Sequence, residues 1–246
     1  MTAAPTPRTG PDHHRARPPA PAGAAHAAAP SRPPGGTGHR TTPGGPWLYG
    51  PQPAARRAGG PPAGGGTRLP RAVLFDRDGT LVADVPYNGD PARVRPMPTA
   101  AAAVRALRAR GIPVGVVSNQ SGVARGLLTR RQVEAVRERV DALLGPFDVW
   151  AVCPHGPADG CRCRKPAPGL VLAACRRLGV SPARTAVIGD IGSDLAAARA
   201  AGARGVLVPT PVTRPAETAA ARELAPDLLG AVRLVLGESP ATGGTP

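Results

Sequence analysis

Two carboxylates stand two residues apart in Asp76-Arg77-Asp78-Gly79-Thr80. They follow Ala72-Val73-Leu74-Phe75, an apolar run of the length of a buried strand. Side chains two apart past a strand end point to the same side, and Gly79 permits a sharp turn. Paired acids in that position suit a divalent cation and a phosphoryl group. An acidic turn with no chemical task would read the same over so short a stretch. A second group is denser. Cys153-Pro154-His155 is followed by Cys161-Arg162-Cys163, which holds three of the chain's four cysteines and its one histidine beyond residue 70. Three thiolates and an imidazole match a closed tetrahedral Zn²⁺ site, structural because no ligand position stays open. A disulfide is the alternative, but it would leave an odd cysteine and needs an oxidising compartment. Cys175 falls with Val171 and Leu178 on one helix face and reads as a core thiol.

The elements that must position these residues alternate. Apolar runs at 71–75, 112–117, 148–152, 185–189 and 205–208 read as strands. Helices are expected at 98–110, after a capping box at Thr129 and Gln132, at 168–178, at 194–201, and within 214–237 with a break near Pro226. Such alternation gives an α/β fold with a parallel sheet covered by helices on both faces. Ligands in such sheets bind beyond the carboxyl ends of the strands. Asp76, Asp78, Ser118 and Asp190 all stand at such ends, so the topology should gather them.

Composition divides the chain. Residues 1–70 hold 16 Pro and 13 Gly, a low-complexity tail by composition. One domain is expected over 71–237, with 238–246 as a second loose end. The net charge of +15 invites a nucleic-acid partner. Yet 30 of the 31 cations are Arg, spread without clustering, and few aromatics accompany them, so nucleic acid is disfavoured. No apolar stretch approaches the ~20 residues of a membrane span, and no secretory signal is evident. A cytoplasmic monomer with a small substrate is the expectation. Lys165 is the chain's one lysine. A compact ammonium differs from a forked guanidinium when aimed at a single oxygen, which marks it as chosen.

From residue 71 to about 210 the chain resembles the haloacid dehalogenase (HAD) superfamily of phosphatases. The resemblance rests on Asp-x-Asp-Gly-Thr at 76–80, Ser118 at the second strand end, Lys165 before a helix, and Gly189-Asp190-x-x-x-Asp194, in family order. It implies a Rossmann-like HAD fold. It implies Asp76 as nucleophile and Asp78 as general acid and base. Mg²⁺ would be bound by Asp76, the Asp78 backbone carbonyl and Asp190, with Ser118 and Lys165 contacting phosphoryl oxygens. Asp194 could orient groups near the metal or cap its helix.

The zinc loop followed by Cys163-Arg164-Lys165-Pro166 is similar to the branch acting on heptose bisphosphate or histidinol phosphate. Ser118-Asn119-Gln120-Ser121-Gly122 and Asp84-x-x-Tyr87 resemble the heptose pattern. Asp84, Tyr87, Asn119, Gln120, Ser121 and Arg164 would then contact a small phosphorylated sugar, Arg164 at its second phosphate. Ile191 stands where heptose relatives often carry Lys. A nucleic-acid 3′-phosphatase and a non-catalytic zinc-stabilised binding module are the other readings. The spacings from Asp78 to Ser118 and from Ser118 to Lys165 leave no room for a cap domain.

Overall fold

The computed structural model describes residues 44–51 and 69–238. Six strands form one sheet in the order β1-β4-β3-β2-β5-β6. They are β1 (Trp47–Tyr49), β2 (Ala72–Phe75), β3 (Val114–Asn119), β4 (Val149–Cys153), β5 (Thr185–Gly189) and β6 (Arg204–Leu207). The helices are α1 (Ala100–Arg108), α2 (Arg130–Leu144), α3 (Gly169–Leu178), α4 (Gly192–Ala201), α5 (Pro215–Ala220) and α6 (Leu228–Leu236). β2 to β6 run parallel and β1 is antiparallel to β4.

Period-two alternation along the strands builds two cores. Val73, Phe75, Val114, Val116 and Ile188 face α1, α2 and α6. Leu74, Val117, Val187 and Ala151 face α3 and α4. β2, β3, β4 and β5 are nearly continuous apolar runs because each is covered on both faces. At α2 the expected capping box forms. Thr129 accepts from the Gln132 N–H, and the Gln132 side chain accepts from the Thr129 N–H. The last two helices are separate, with the break at 221–227 around Pro226.

Two boundaries differ from the sequence reading in ways that matter. β3 starts and ends two residues later, so Ser118 and Asn119 are its last residues instead of lying beyond it. The second concerns Trp47–Tyr49, which lies inside the 1–70 stretch read as tail. It pairs with Trp150–Val152 at the sheet edge. Three aromatic and aliphatic residues suffice there because the side chains dock as well. Arg130 lies 5.0 Å from the Trp47 ring centre, and Arg137 lies 5.1 Å from that of Tyr49. Arg177 Nη2 also donates to the Gly50 carbonyl at 2.7 Å. The folded unit therefore takes in 47–49. At the other end Glu238 pairs with Arg110. The remaining tail readings fall outside the described residues.

Among the described residues no separate folded unit interrupts β2 to β3 or β3 to α3. The order reverses at β2. β3 and β4 extend one way from it, β5 and β6 the other. Asp76 and Asp190 follow the two strands that meet at this switch point, where open parallel sheets leave a crevice.

Candidate active site

The Asp76 backbone continues the β2–β5 ladder, its N–H donating to Ile188 at 2.9 Å. That bond fixes the Asp76 side chain beside the end of β5. Gly79 then reverses the chain with φ +75°, and a Cβ there would lie 2.3 Å from Asp190 Oδ2. Only glycine meets both demands. Gly189 is similarly forced, since a Cβ would sit 2.4 Å from the Asp194 Cβ. Gly79 thus lets the first motif press against Asp190, and Gly189 lets Asp194 fold back onto the end of β5.

The gathered carboxylates are Asp76, Asp190 and Asp194, with oxygens within 4.8 Å of one another. Lys165 Nζ lies 2.6 Å from Asp76 Oδ1 and 2.6 Å from Asp194 Oδ1, and donates to the Val117 carbonyl at 3.0 Å. Thr80 Oγ1 donates to Asp190 Oδ1 at 3.1 Å. Asp194 is fully buried and also accepts from the Ile191 N–H at 3.3 Å, so it both caps α4 and pairs with Lys165. Three buried carboxylates against one ammonium leave an excess of two negative charges. The consequence shows in proton affinity. Burial pushes Asp76 up, opposed by Lys165 and reinforced by Asp194, Asp78 and Asp190. Asp190 is pushed up to about 6, by burial first and Asp194 next. Burial would lower the Lys165 ammonium, but Asp194 and Asp76 more than reverse it and hold it protonated. Hard oxygen donors with two surplus negative charges fit Mg²⁺.

Asp78 points elsewhere. Its carboxylate accepts from Arg77 and, at 3.0 Å, from Gln120 Nε2, which also donates to Ser118 Oγ at 2.9 Å. Ser118 is buried at the end of β3. Asn119 does not face the site as a free amide. Its Nδ2 donates to the Lys165 carbonyl and its Oδ1 accepts from the Lys165 N–H, both at 3.1 Å. The sequence suggested a substrate contact, and in the structure the amide also clamps the Lys165 main chain.

Tyr87 is 43 % exposed and has φ +51°, an uncommon conformation for a bulky residue. Its hydroxyl meets Arg125, whose guanidinium also lies 5.5 Å from the ring centre. Asp84 is exposed, and partial burial first and nearby Asp78 next raise its proton affinity. Ser121 is half-buried in the turn after β3, where its carbonyl accepts from Arg125 N–H. Arg164 Nη1 donates to the His155 carbonyl at 3.4 Å. Sequence reasoning left Arg77 aside and left Asp194 between two roles. Arg77's one signal was its place between the paired acids.

The second cluster gathers Cys153, His155, Cys161 and Cys163. Cys153 Sγ lies 3.3 Å from Cys163 Sγ and 3.7 Å from Cys161 Sγ, and the latter two are 3.6 Å apart. His155 Nδ1 is 3.2 Å from Cys163 Sγ and 3.5 Å from Cys153 Sγ. A disulfide would bring two sulfurs to about 2.0 Å, and all four cysteines are free. Tetrahedral Zn–S bonds of about 2.3 Å give edges of about 3.8 Å, close to these separations. Contact with Cys163 pulls the Cys153 thiol down to about 5, against burial and with help from His155, while the same contact pushes Cys163 up. Adjacent thiols that cannot all ionise unaided fit a bound Zn²⁺.

With this geometry in place, likeness to known proteins becomes specific. A HAD-hydrolase-like family model matches residues 162–231. The D-glycero-β-D-manno-heptose-1,7-bisphosphate 7-phosphatase of Rhodopseudomonas palustris is 40% identical over 145 residues, 54% of this chain and 81% of that protein. The chain belongs to the HAD-like phosphatases. The Escherichia coli K12 protein of the same name as the R. palustris relative is 37% identical over 163 residues, 61% of this chain and 85% of its own. A crystal structure of D,D-heptose 1,7-bisphosphate phosphatase from B. bronchiseptica, complexed with magnesium and phosphate, superposes with a TM-score of 0.61 at 30% identity. It covers 68% of this chain and 99% of that one. This HAD-like phosphatase is a phosphoric monoester hydrolase. Among its described residues no helix is long and apolar enough to cross a membrane.

Proposed function

We propose that the chain removes the 7-phosphate from D-glycero-D-manno-heptose 1,7-bisphosphate. The carrying observation is the buried Asp76–Lys165–Asp194 arrangement at the β2/β5 switch point, joined through Arg164 to the Cys/His loop. Histidinol phosphate and nucleic-acid 3′-phosphates are the weaker alternatives. The Ser118–Ser121 turn and the Tyr87 loop support the sugar. A scaffold without catalysis would have no use for two surplus buried negative charges, which lowers the binding-module reading.

In this mechanism an Asp76 oxygen attacks phosphorus, forming an aspartyl-phosphate. Asp78 gives a proton to the departing sugar oxygen and later takes one from the water that cleaves the acyl phosphate. Lys165 aims the Asp76 carboxylate and then meets the equatorial charge that develops on phosphorus. Asp194 holds Lys165 in place, and Asn119 fixes its main chain. Ser118 donates to a phosphoryl oxygen. A Mg²⁺ ion held by the Asp76 and Asp190 carboxylates and the Asp78 carbonyl would neutralise repulsion between Asp76 and the incoming phosphate. Gln120, Ser121, Asp84 and Tyr87 line the sugar, and Arg164 takes the second phosphate. A Zn²⁺ ion held by Cys153, His155, Cys161 and Cys163 would pin the loop that presents Arg164. Thiolate ligation suits the reducing cytoplasm, where the chain works as a monomer.

The deciding measurement is phosphate release from heptose 1,7-bisphosphate, histidinol phosphate and a 3′-phosphorylated oligonucleotide under one set of conditions. The bisphosphate should give the highest kcat/KM. Preference for either of the others would overturn the substrate assignment.

A further inference from the structure

Arg77 lies between the two acids of the first motif and is only 3 % exposed. Its guanidinium forks onto Asp78, with Nε 3.0 Å from both carboxylate oxygens and Nη2 2.8 Å from Oδ2. Among the described residues these are all the side-chain hydrogen bonds it makes. Gln120 approaches the same Oδ2 from the end of β3. The Asp78 carboxylate, 25 % exposed on its side chain, is thus fixed in plane and direction from two sides. A buried Arg is costly to bury, and here every side-chain hydrogen bond it makes goes to one acid. That acid is the group that must move a proton.

We propose that Arg77 is a positioning residue that aims Asp78 at the leaving oxygen. This rests on the phosphatase reading above. As the bond from Asp76 to phosphorus forms, the bond from phosphorus to the sugar oxygen breaks and its electron pair stays on that oxygen. The Asp78 carboxyl proton passes to the same oxygen. The carboxylate left behind stays in the guanidinium fork, facing the oxygen it has served. Lysine would keep the charge but lose the planar two-point grip.

Leaving-group chemistry tests this. A sugar alkoxide needs a proton to depart, whereas p-nitrophenolate leaves as a stable anion. On each ester kcat/KM reports steps up to phosphorylation of Asp76, which excludes the later use of Asp78 as base. In the full-length protein, Arg77→Met should lower kcat/KM on heptose bisphosphate about 100-fold and on p-nitrophenyl phosphate less than about fivefold. Arg77→Lys should fall between, about tenfold on the sugar ester. On that ester the double variant with Asp78→Asn should be no worse than Asp78→Asn alone. Equal losses on both esters, or additive losses in the double variant, would overturn the inference. If Arg77→Met melts at ambient temperature or loses its zinc, the selectivity of Arg77→Lys between the two esters decides the matter. Wild-type protein that hydrolyses neither ester would instead overturn the phosphatase reading itself.

Discussion

The oxygen cluster and the sulfur cluster are built in opposite ways. Asp76, Asp190 and Asp194 come from two motifs more than a hundred residues apart and meet because β2 and β5 pair in register. Cys153, His155, Cys161 and Cys163 come from one loop that leaves β4, with only a 3₁₀ turn at Pro157–Asp159 inside it. The sheet secures the first cluster before any ion arrives, and the ion's role there is chemical. The loop at 153–163 has little core of its own, so its ion carries the local structure. The same fold therefore places one metal where removal costs rate and another where removal costs shape.

That contrast can be broken at several points. Asp76→Asn should lower turnover by at least about 10³-fold while leaving the melting temperature unchanged or higher, because one repelling carboxylate is gone. A phosphate-release assay paired with a thermal melt checks it, and retained turnover would sink the nucleophile assignment. Cys163→Ser should do the reverse, destabilising by about 3–5 kcal/mol with zinc content well below one per chain. Calorimetry and metal analysis read this out, and a zinc-replete, normally stable variant would remove the loop argument.

Protonation offers a third test. The ordinary value for Asp190 is 3.8, and in the fold it stands at about 6. A carboxyl raised on folding contributes stability below its unfolded value, and that contribution is lost as pH rises through its folded value. Through Asp190 alone the metal-free fold should therefore lose about 3 kcal/mol between roughly pH 4 and pH 7. Mg²⁺ should raise the melting temperature more near pH 8 than near pH 5, and comparing increments cancels changes at the zinc loop. Equal increments would contradict the charge excess described above. The smallest effect is expected at Asp194→Asn. Lys165 keeps Asp76 but loses its second anchor, so kcat should fall about tenfold with KM little changed.

Much of this arrangement was legible before any coordinates. The zinc ligands are close in sequence and of rare types, so spacing alone found them. Asp76, Ser118 and Asp190 were legible because each sits at a strand end that periodicity marks, and Lys165 because it is the chain's one lysine. What escaped notice depends on long-range pairing. Trp47–Tyr49 is too short to declare itself within Pro/Gly-rich surroundings, and only the exposed edge of β4 makes it a strand. Asn119 looked available to substrate until Lys165, 46 residues on, was seen to occupy its amide. Arg77 looked like one more arginine in an arginine-rich chain, and burial separates it from the other described arginines.

The reciprocal grip of Asn119 on the Lys165 main chain separates two jobs that a single loop would otherwise have to share. Lys165 is anchored to the end of β3, and along the chain the residues between His155 and Cys161 are bracketed by members of the Cys/His cluster. Changes in length or composition at 156–160 are absorbed before they reach the ammonium. The tip of the Cys/His loop is in this sense a replaceable part. It is free to drift toward new esters while the phosphoryl-transfer apparatus stays calibrated.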